Sequence, residues 1–236
     1  MSTVLCADCV AKSFGPRRVL SSATLRAEPG QVRVLFGRNG SGKSTLLRIA
    51  GGLMQPDSGT VHFQNRPLEH ARLPVLAREG VFFLPDHDLL SPRFTVRAQL
   101  EMFARRYERG VAAAAADIVG LSERLDQYPH QLSGGETRRA ELAVALVRGP
   151  ICLLADEPFR GIAPLDAEIL TRVFRTLATR GCAVIFTGHE VETLMAAADQ
   201  VIWCTDGTTY ELGSPSSARD HARFRDLYLG PPRPAR

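Results

Sequence analysis

The sequence predicts an α/β fold built around a mostly parallel β-sheet. Three mostly apolar runs have the length and composition of buried strands: QVRVLF at 31–36, ICLLADE at 151–157, which ends in two carboxylates, and CAVIFT at 182–187. The first run leads through a glycine-rich loop into the helical run TLLRIAGGL, which gives the order strand, loop, helix. The chain has 236 residues, 44% of them hydrophobic, and this length suits one sizeable core with a small satellite subdomain.

Composition and charge argue against several classes of protein. Uncharged stretches such as GVAAAAA are far too short to span a membrane, and the N-terminus lacks the basic and apolar regions of a signal peptide. The net charge of +4 is modest and the basic residues are dispersed, so we expect no nucleic-acid partner. The five cysteines include a single closely spaced pair, which indicates reduced thiols and no metal site. Any work at a membrane would go through a partner.

A phosphate loop follows the first predicted strand. The run GRNGSGKST at 37–45 matches the pattern G-x-x-x-x-G-K-[ST] between a strand and a helix. Its glycines allow backbone N–H groups to surround phosphates at the positive end of a helix, with Lys43 reaching the terminal phosphates and the Ser44 hydroxyl binding Mg²⁺. The predicted nucleotide-binding residues of the loop are Gly37, Asn39, Gly40, Ser41, Gly42, Lys43, Ser44 and Thr45.

Lysine usage singles out Lys43. Only two of the 29 basic residues are lysines, Lys12 and Lys43, which indicates a coding bias towards arginine. An ammonium is a compact point charge that fits between phosphate oxygens inside a tight loop, whereas the planar guanidinium is larger. The retention of lysine at position 43 therefore supports the phosphate-binding interpretation.

Ionisable residues follow the other two predicted strands. Asp156 and Glu157 end ICLLADE, so Asp156 would lie near Mg²⁺ and Glu157 would orient or deprotonate a water. His189 in GHE follows the third strand at the same edge of the sheet. The alternatives are an acidic strand end that faces solvent and a surface histidine, which is the commoner case for a histidine taken alone. The phosphate loop upstream favours the active-site interpretation of the two carboxylates.

A second glycine-rich helix start lies at 132–136, which we call the signature segment. It reads LSGGE and precedes the helical run TRRAELAVALV. Ser133, Gly134 and Gly135 would open a helix whose N–H groups and dipole attract an anion. The chain therefore has a second glycine-rich helix start, nearly a hundred residues after the first.

The motifs together resemble those of the ATP-binding subunits of ABC transporters. GRNGSGKST, LSGGE, ICLLADE and GHE occur in that family's order across nearly the whole chain. The resemblance implies an ATPase that uses ATP and Mg²⁺, with Glu157 and His189 as catalytic residues. It also implies that Ser133, Gly134 and Gly135 contact the ATP held by another subunit, so that each ATP lies between two protomers.

The resemblance also implies a domain organisation. A single domain over 1–236 would comprise a P-loop NTPase core with an antiparallel β subdomain at 1–85 and 147–236, and a helical subdomain at 86–146 that carries the signature segment.

Local patterns agree with this organisation. Alternating polar and apolar residues at 3–30 and 58–68 favour antiparallel strands, and residues 95–128 look helical. The dipeptide DG at 206–207 predicts a β-hairpin.

The resemblance implies partners and a place in the cell. We expect a homodimer, or a heterodimer with a related ATPase subunit, joined to separate transmembrane permease subunits at the cytoplasmic face of the membrane. The permease would dock near LPDHDLLSPRFTV. Phe14 in KSFG matches the aromatic position that stacks on adenine; a lone phenylalanine is more often a core residue, but its position relative to the phosphate loop makes the two alternatives about equal. DEPFRGIAP and ARFRDLYLG are similar to the ATPases for branched-chain amino acid uptake and lipopolysaccharide export.

Two residues depart from the family pattern. Asp86 stands where the family usually has a glutamine that touches Mg²⁺ and the attacking water; an aspartate can ligate Mg²⁺, and it can equally cap the turn PDHD. Ala163 stands where a family aspartate reaches across the dimer, and Asp166 would replace it only through a three-residue insertion in the loop.

Three functions follow from these observations. The first is a transporter ATPase, which we expect to be active because Glu157 and the signature segment are intact. The second is a soluble non-transport ABC ATPase, but such proteins usually carry two fused cassettes or a long coiled-coil insertion. The third, suggested by Asp86 and Ala163, is a regulatory ATP-binding module with low turnover.

Overall fold

The structure is a computed structural model, and it describes residues 3–107 and 111–230. Across these residues ten strands form one sheet, in the order β5-β4-β1-β2-β10-β9-β3-β8-β7-β6. The strands are β1 (Leu5–Phe14), β2 (Arg17–Ala27), β3 (Val32–Phe36), β4 (Ser58–Phe63), β5 (Arg66–Leu68), β6 (Val81–Leu84), β7 (Cys152–Ala155), β8 (Ala183–Gly188), β9 (Gln200–Thr205) and β10 (Thr208–Gly213). The α-helices are α1 (Lys43–Ala50), α2 (Leu73–Arg78), α3 (Val96–Tyr107), α4 (Ala112–Ile118), α5 (Gly134–Arg148), α6 (Pro164–Thr179), α7 (Val191–Ala197), α8 (Pro215–Asp220) and α9 (Ala222–Phe224). The α/β fold class predicted from the sequence is confirmed.

The centre of the sheet is parallel. Strand β3 lies between β8 and β9, and β7 lies between β8 and β6, all in parallel register. Phe36 pairs with Gly188 and Ala155 pairs with Phe186, so the carboxyl ends of β3, β7 and β8 meet at one edge. The segments that follow these strands are therefore brought together by the sheet itself.

The antiparallel strands lie on the other side of the sheet. Strand β1 pairs with β2 and with β4, and β4 pairs with β5, as the alternation at 3–30 and 58–68 predicts. Strands β9 and β10 form the predicted hairpin, in which Asp206 and Gly207 have φ of 52° and 72°. Two positive φ angles at the turn are the geometry for which Asp-Gly is favoured.

Residues of the central strand alternate between two cores. Val34 and Phe36 of β3 pack with residues of α5 and α6 on one face, while Leu35 packs with residues of α1, β1 and β2 on the other. This is the two-residue alternation of a strand whose faces are both covered. It explains why the sequence of β3 reads as a mostly apolar run, with Arg33 as its one charged residue.

The helical part begins after β6. Helices α3 and α4 lie within the predicted helical stretch 95–128, of which residues 108–110 fall outside the described residues. Helix α5 is buried from Ala140 to Arg148, and it ends where Gly149 adopts a left-handed φ of 57°. Within the described residues, no helix combines the length and apolar character that a membrane span needs.

Candidate functional site

The phosphate loop joins the end of β3 to the start of α1, and its glycines are required by its tight path. Gly42 has φ of 102°, and a Cβ added there would lie 2.6 Å from a methyl carbon of Leu20. A Cβ on Gly37 would lie 2.4 Å from Ser41 Oγ and 2.5 Å from the carbonyl oxygen of Cys204. Any larger residue at these two positions would displace the loop.

Lys43 folds back into the phosphate loop. Its Nζ donates to the carbonyl oxygens of Gly37 at 2.8 Å and Arg38 at 3.3 Å, and only 5% of the residue is exposed. Burial lowers the pKa of Lys43, against the opposing effect of the nearby carboxylates of Glu157 and Asp156. Within the part of the chain that the structure describes, the ammonium is hydrogen-bonded to backbone carbonyl groups, and a phosphate would replace these neutral acceptors with a charged one.

A hydrogen-bond network connects α1 to the ends of β7 and β8. The Ser44 hydroxyl donates to Asp156 Oδ1 at 2.9 Å, and the Thr187 hydroxyl donates to the same oxygen at 2.8 Å. The Thr187 oxygen also accepts from the Glu157 backbone N–H at 2.8 Å. An adjacent hydroxyl and carboxylate are hard oxygen ligands of the kind that Mg²⁺ accepts beside phosphates, so Ser44 and Asp156 fit this ion. Sequence analysis missed Thr187, which ends the run CAVIFT.

Glu157 and His189 lie together at this edge of the sheet. His189 Nδ1 is 3.7 Å from Glu157 Oε2, and the Glu157 side chain is 16% exposed while that of His189 is 48% exposed. Glu157 has φ of 43°, in the region that disfavours residues other than glycine. A carboxylate held in this way beside an exposed imidazole is suited to act on a water that reaches it from the solvent side.

The two residues line a cavity of about 650 Å³, which we call the nucleotide cavity. Its lining combines backbone of the phosphate loop with charged side chains, as a polyphosphate requires. The lining residues are Arg17, Val19, Asn39, Gly40, Gly42, Lys43, Ser44, Thr45, Glu157, Arg160 and His189.

Several predicted residues lie outside this lining. Gly37 and Ser41 lie in the interior of the phosphate loop, where they face each other. Phe14 is half-exposed at the end of β1 and pairs with Arg17, which does line the cavity. Its role at adenine therefore stays a prediction.

The cavity also includes residues that sequence analysis missed. Arg17 lies across from Gly40, where an added Cβ would be 3.2 Å from its guanidinium. Arg160 lies three residues after Glu157 on the loop that follows β7. The sequence feature that could have identified Arg160 is its position in the segment DEPFRGIAP.

The signature segment begins α5 and does not line the nucleotide cavity of its own chain. Ser133 caps the helix: its Oγ accepts from the Glu136 N–H at 3.2 Å, and Glu136 Oε2 accepts from the Ser133 N–H at 2.9 Å. This backbone hydrogen bond lowers the pKa of the Glu136 carboxyl. A Cβ on Gly134 would meet open space, whereas one on Gly135 would lie 1.9 Å from Asp166 Oδ2. The backbone at Gly134 is therefore exposed and has room beside it.

Arg138, one turn into α5, connects this helix by hydrogen bonds to both loops that flank the site. Its guanidinium is buried and donates to the carbonyl oxygens of Asp86 at 3.2 Å and Asp156 at 3.3 Å. It also pairs with Glu141 at 2.7 Å, and burial raises the pKa of that carboxyl despite the arginine. The remaining acceptors are the carbonyl oxygens of Pro85, Glu157 and Pro158. Sequence analysis missed this residue.

Of the residues that depart from the family pattern, Asp86 lies near the site. Its carboxylate oxygens are 3.6 Å from His87 Nε2 and 3.9 Å from Arg160 Nη1, and one quarter of its side chain is exposed. Among the described residues, no backbone N–H donates to the Asp86 carboxylate, so no hydrogen bond supports the alternative in which Asp86 caps the turn PDHD. Whether it reaches Mg²⁺ stays a prediction.

Ala163 and Asp166 lie at the start of α6. Ala163 is the residue before the first turn of the helix and makes no side-chain cap. Asp166 lies 2.9 Å from Arg139 Nε of α5 and packs on Gly135, so its carboxylate is engaged within its own chain.

Comparisons with known proteins agree with this geometry. A profile of the ABC transporter family matches residues 20–160. The zinc import ATP-binding protein ZnuC of Halorhodospira halophila is 36% identical over 233 residues, covering 94% of this chain and 83% of that protein. The lipopolysaccharide export system ATP-binding protein LptB of Acidithiobacillus ferridurans is 33% identical, covering 98% of each. Among solved structures, the ADP conformation of an ATP-binding cassette of an ABC transporter has the same fold, with a TM-score of 0.85 at 21% identity over 98% of this chain and 100% of that one.

Proposed function

Because the chain belongs to the ABC transporter family of ATP-binding subunits, we propose that it powers separate membrane subunits by hydrolysing ATP within a closing dimer. The nucleotide cavity supplies one half of each ATP site, and the signature segment of the other protomer supplies the second half. The observation that carries this proposal is the position of Ser133 and Gly134, which open a helix away from the cavity of their own chain.

Within one chain, the phosphate loop binds the triphosphate. Backbone N–H groups at the start of α1 surround the phosphates, and the Lys43 ammonium moves from its carbonyl acceptors to phosphate oxygens. Ser44 and Asp156 would hold Mg²⁺, which when bound supplies charge neutralisation at the transferred phosphate. Asp86 is the proposed additional ligand.

Glu157 and His189 carry the chemical step. Glu157 orients the attacking water and accepts its proton as the new oxygen–phosphorus bond forms, while the bond between the terminal phosphorus and the bridging oxygen breaks and ADP leaves with that oxygen. His189, 3.7 Å from that carboxylate, donates a hydrogen bond to the terminal phosphate while its charge develops. The hydrogen bond from the Glu157 N–H to Thr187 fixes the backbone from which the carboxylate projects.

The second protomer closes the site. Gly134 exposes the N-terminus of the 15-residue helix α5, where backbone N–H groups and the helix dipole favour an anion. The Ser133 hydroxyl accepts a cap bond and still has a proton to donate to a phosphate oxygen. Two such contacts related by a two-fold axis give two ATP molecules in one dimer.

A test of this proposal uses Glu157→Gln, which keeps the binding contacts and removes the base. With MgATP the variant should change from monomer to dimer in light scattering, because hydrolysis no longer opens the dimer. MgADP is the matched control and should leave it monomeric. If ATP binds to the variant without any change in mass, the shared-site proposal is wrong.

The proposed partners are membrane permease subunits that contact the helical segment 86–146, which places the protein at the cytoplasmic face of the membrane. The named relatives serve zinc import and lipopolysaccharide export, so the proposal covers ATP-driven transport and assigns neither cargo nor direction. Co-purification with a hydrophobic membrane protein supports this proposal. Isolation from membranes without such a protein favours a non-transport ATPase.

A low-turnover regulatory module is the second candidate. It is favoured by Asp86, which faces Arg160 where the family glutamine would stand, and by Ala163, whose methyl group makes no polar contact. Measured turnover of the isolated dimer separates the two, because a regulatory module binds ATP tightly and hydrolyses it slowly.

A further inference from the structure

Arg160 lies in the nucleotide cavity without a role in the chemistry described above. It follows Phe159, whose ring is buried 5.6 Å from the ring of Phe174 and 5.4 Å from that of Phe186. The Arg160 N–H also donates to the Glu157 carbonyl oxygen at 3.1 Å, which closes a turn. The Arg160 side chain therefore extends from an anchored loop, and the residue lines the same cavity as Glu157.

The guanidinium is poorly engaged in the structure. Its side chain is 66% exposed, and its ionic contact among the described residues is with Asp86, at 3.9 Å. A long, exposed ion pair contributes little, so Arg160 can exchange this partner for a better one at small cost. A phosphate offers more negative charge and accepts two parallel hydrogen bonds from the guanidinium fork.

The position of Arg160 in the cavity indicates which end of a bound nucleotide it would lie near. Arg160 lines the cavity together with Glu157 and His189, the two residues assigned to the reacting phosphate. Arg17, the other arginine of the lining, lies over Gly40 on the β2 side. The two cations thus serve different parts of the cavity, and Arg160 serves the end where hydrolysis occurs.

We propose that Arg160 contacts the terminal phosphate of bound ATP and that Asp86 holds its guanidinium beside the cavity when this phosphate is absent. The inference rests on the proposed ATPase function and deepens it by naming a residue that distinguishes ATP from ADP. Asp86 competes with the phosphate for the same cation. Removing the Asp86 charge therefore strengthens ATP binding relative to ADP binding, but only while Arg160 is present.

The test measures binding rather than turnover. Titration calorimetry with Mg²⁺ and either ADP or the β,γ-imido analogue of ATP is carried out on the full chain, at a concentration where light scattering shows a monomer. Arg160→Ala should weaken binding of the ATP analogue about tenfold, the effect of one lost hydrogen bond between charged groups, and change ADP binding less than about twofold. Arg160→Lys should recover part of the loss. Arg97→Ala, which removes an arginine paired with Asp126 at 2.7 Å on α3, is the matched control and should change neither ligand.

Asp86→Asn completes a double-mutant cycle with Arg160→Ala. Loss of a metal ligand at position 86 would affect the Mg²⁺ complexes of ADP and of the ATP analogue alike, so the measured quantity is the ratio of the two affinities. Asp86→Asn alone should raise the preference for the ATP analogue over ADP a few-fold, and in the Arg160→Ala background it should leave this preference unchanged. Equal losses for ADP and the ATP analogue in Arg160→Ala, or an Asp86→Asn effect on the preference that persists without Arg160, would overturn the inference. Failure of the wild type to bind either nucleotide, or binding unchanged in Lys43→Ala, would overturn the ATPase proposal as well.

Discussion

Replacement of Arg138 by methionine should separate stability from catalysis. The change keeps the volume of the side chain but leaves the Glu141 carboxylate buried without its cation, since both side chains are at least nine-tenths buried. It also removes the hydrogen bonds to backbone carbonyls on both sides of the site. Breaking one partner of a buried ion pair typically costs about 3–5 kcal/mol, and we expect a loss of unfolding free energy in this range.

The double variant Arg138→Met, Glu141→Leu gives the control. Without the buried carboxylate the charge penalty disappears, and the remaining cost is that of carbonyl groups left without donors, roughly 1–3 kcal/mol. Stability should therefore recover in part. Turnover should stay low in both variants, because the loops that carry Asp86 and Glu157 have lost their link to α5.

The pH dependence has a defined sign. Burial raises the pKa of Glu141 in the folded protein, and loss of Arg138 raises it further. The folded state then binds more protons than the unfolded state, so stability falls as pH rises from the unfolded carboxyl pKa of about 4.3 through the folded one. Arg138→Met should be less destabilised at pH 5 than at pH 8.

Urea denaturation of the three proteins at both pH values, together with ATPase assays, measures these effects. A loss below about 1 kcal/mol in Arg138→Met would refute the buried pair as a source of stability. Full recovery of turnover in the double variant would show that the hydrogen bonds from Arg138 to the loop carbonyl groups are not needed for catalysis.

Three further predictions concern the site itself. Lys43→Arg should abolish tight ATP binding in calorimetry, because the guanidinium exceeds the space in which Nζ lies 2.8 Å from the Gly37 carbonyl oxygen; binding within about threefold of wild type would contradict this. His189→Ala should bind ATP normally and lower the maximal rate by roughly 10²-fold, as expected for loss of a group that stabilises developing charge, and an unchanged rate would remove His189 from the mechanism. Asp86→Gln should raise the maximal rate a few-fold, the equivalent of one regained hydrogen bond of about 1 kcal/mol, and increase the Mg²⁺ concentration at half-maximal rate; if neither value moves, Asp86 does not act at the metal.

Sequence and structure agree where the determinants are local. The phosphate loop, the Asp-Gly hairpin and the carboxylates after β7 are contiguous patterns, and each was predicted with its place in the fold. That the phosphate loop and the carboxylates lie close together was predicted from one rule, that parallel strands end at the same edge of the sheet.

The missed residues depend on contacts distant in sequence. Arg138 reaches carbonyl groups 52 and 53 residues away, and Thr187 meets Asp156 across 31 residues. No local pattern distinguishes a buried arginine in α5 from the many surface arginines of this chain. Position 135 similarly lacks room for a side chain because Asp166 of α6 lies over it.

The central claim, an ATP site shared between two chains, is tested most directly by mixing two inactive variants. Lys43→Ala disables the nucleotide cavity of its chain, and Ser133→Arg blocks the signature segment of the other. A mixed dimer retains one intact site, formed by the cavity of the Ser133→Arg chain and the signature segment of the Lys43→Ala chain. The account predicts that ATPase activity, absent from each variant alone, returns on mixing in proportion to the mixed dimer. Activity that stays absent, while ATP still drives the two variants into dimers, would contradict it.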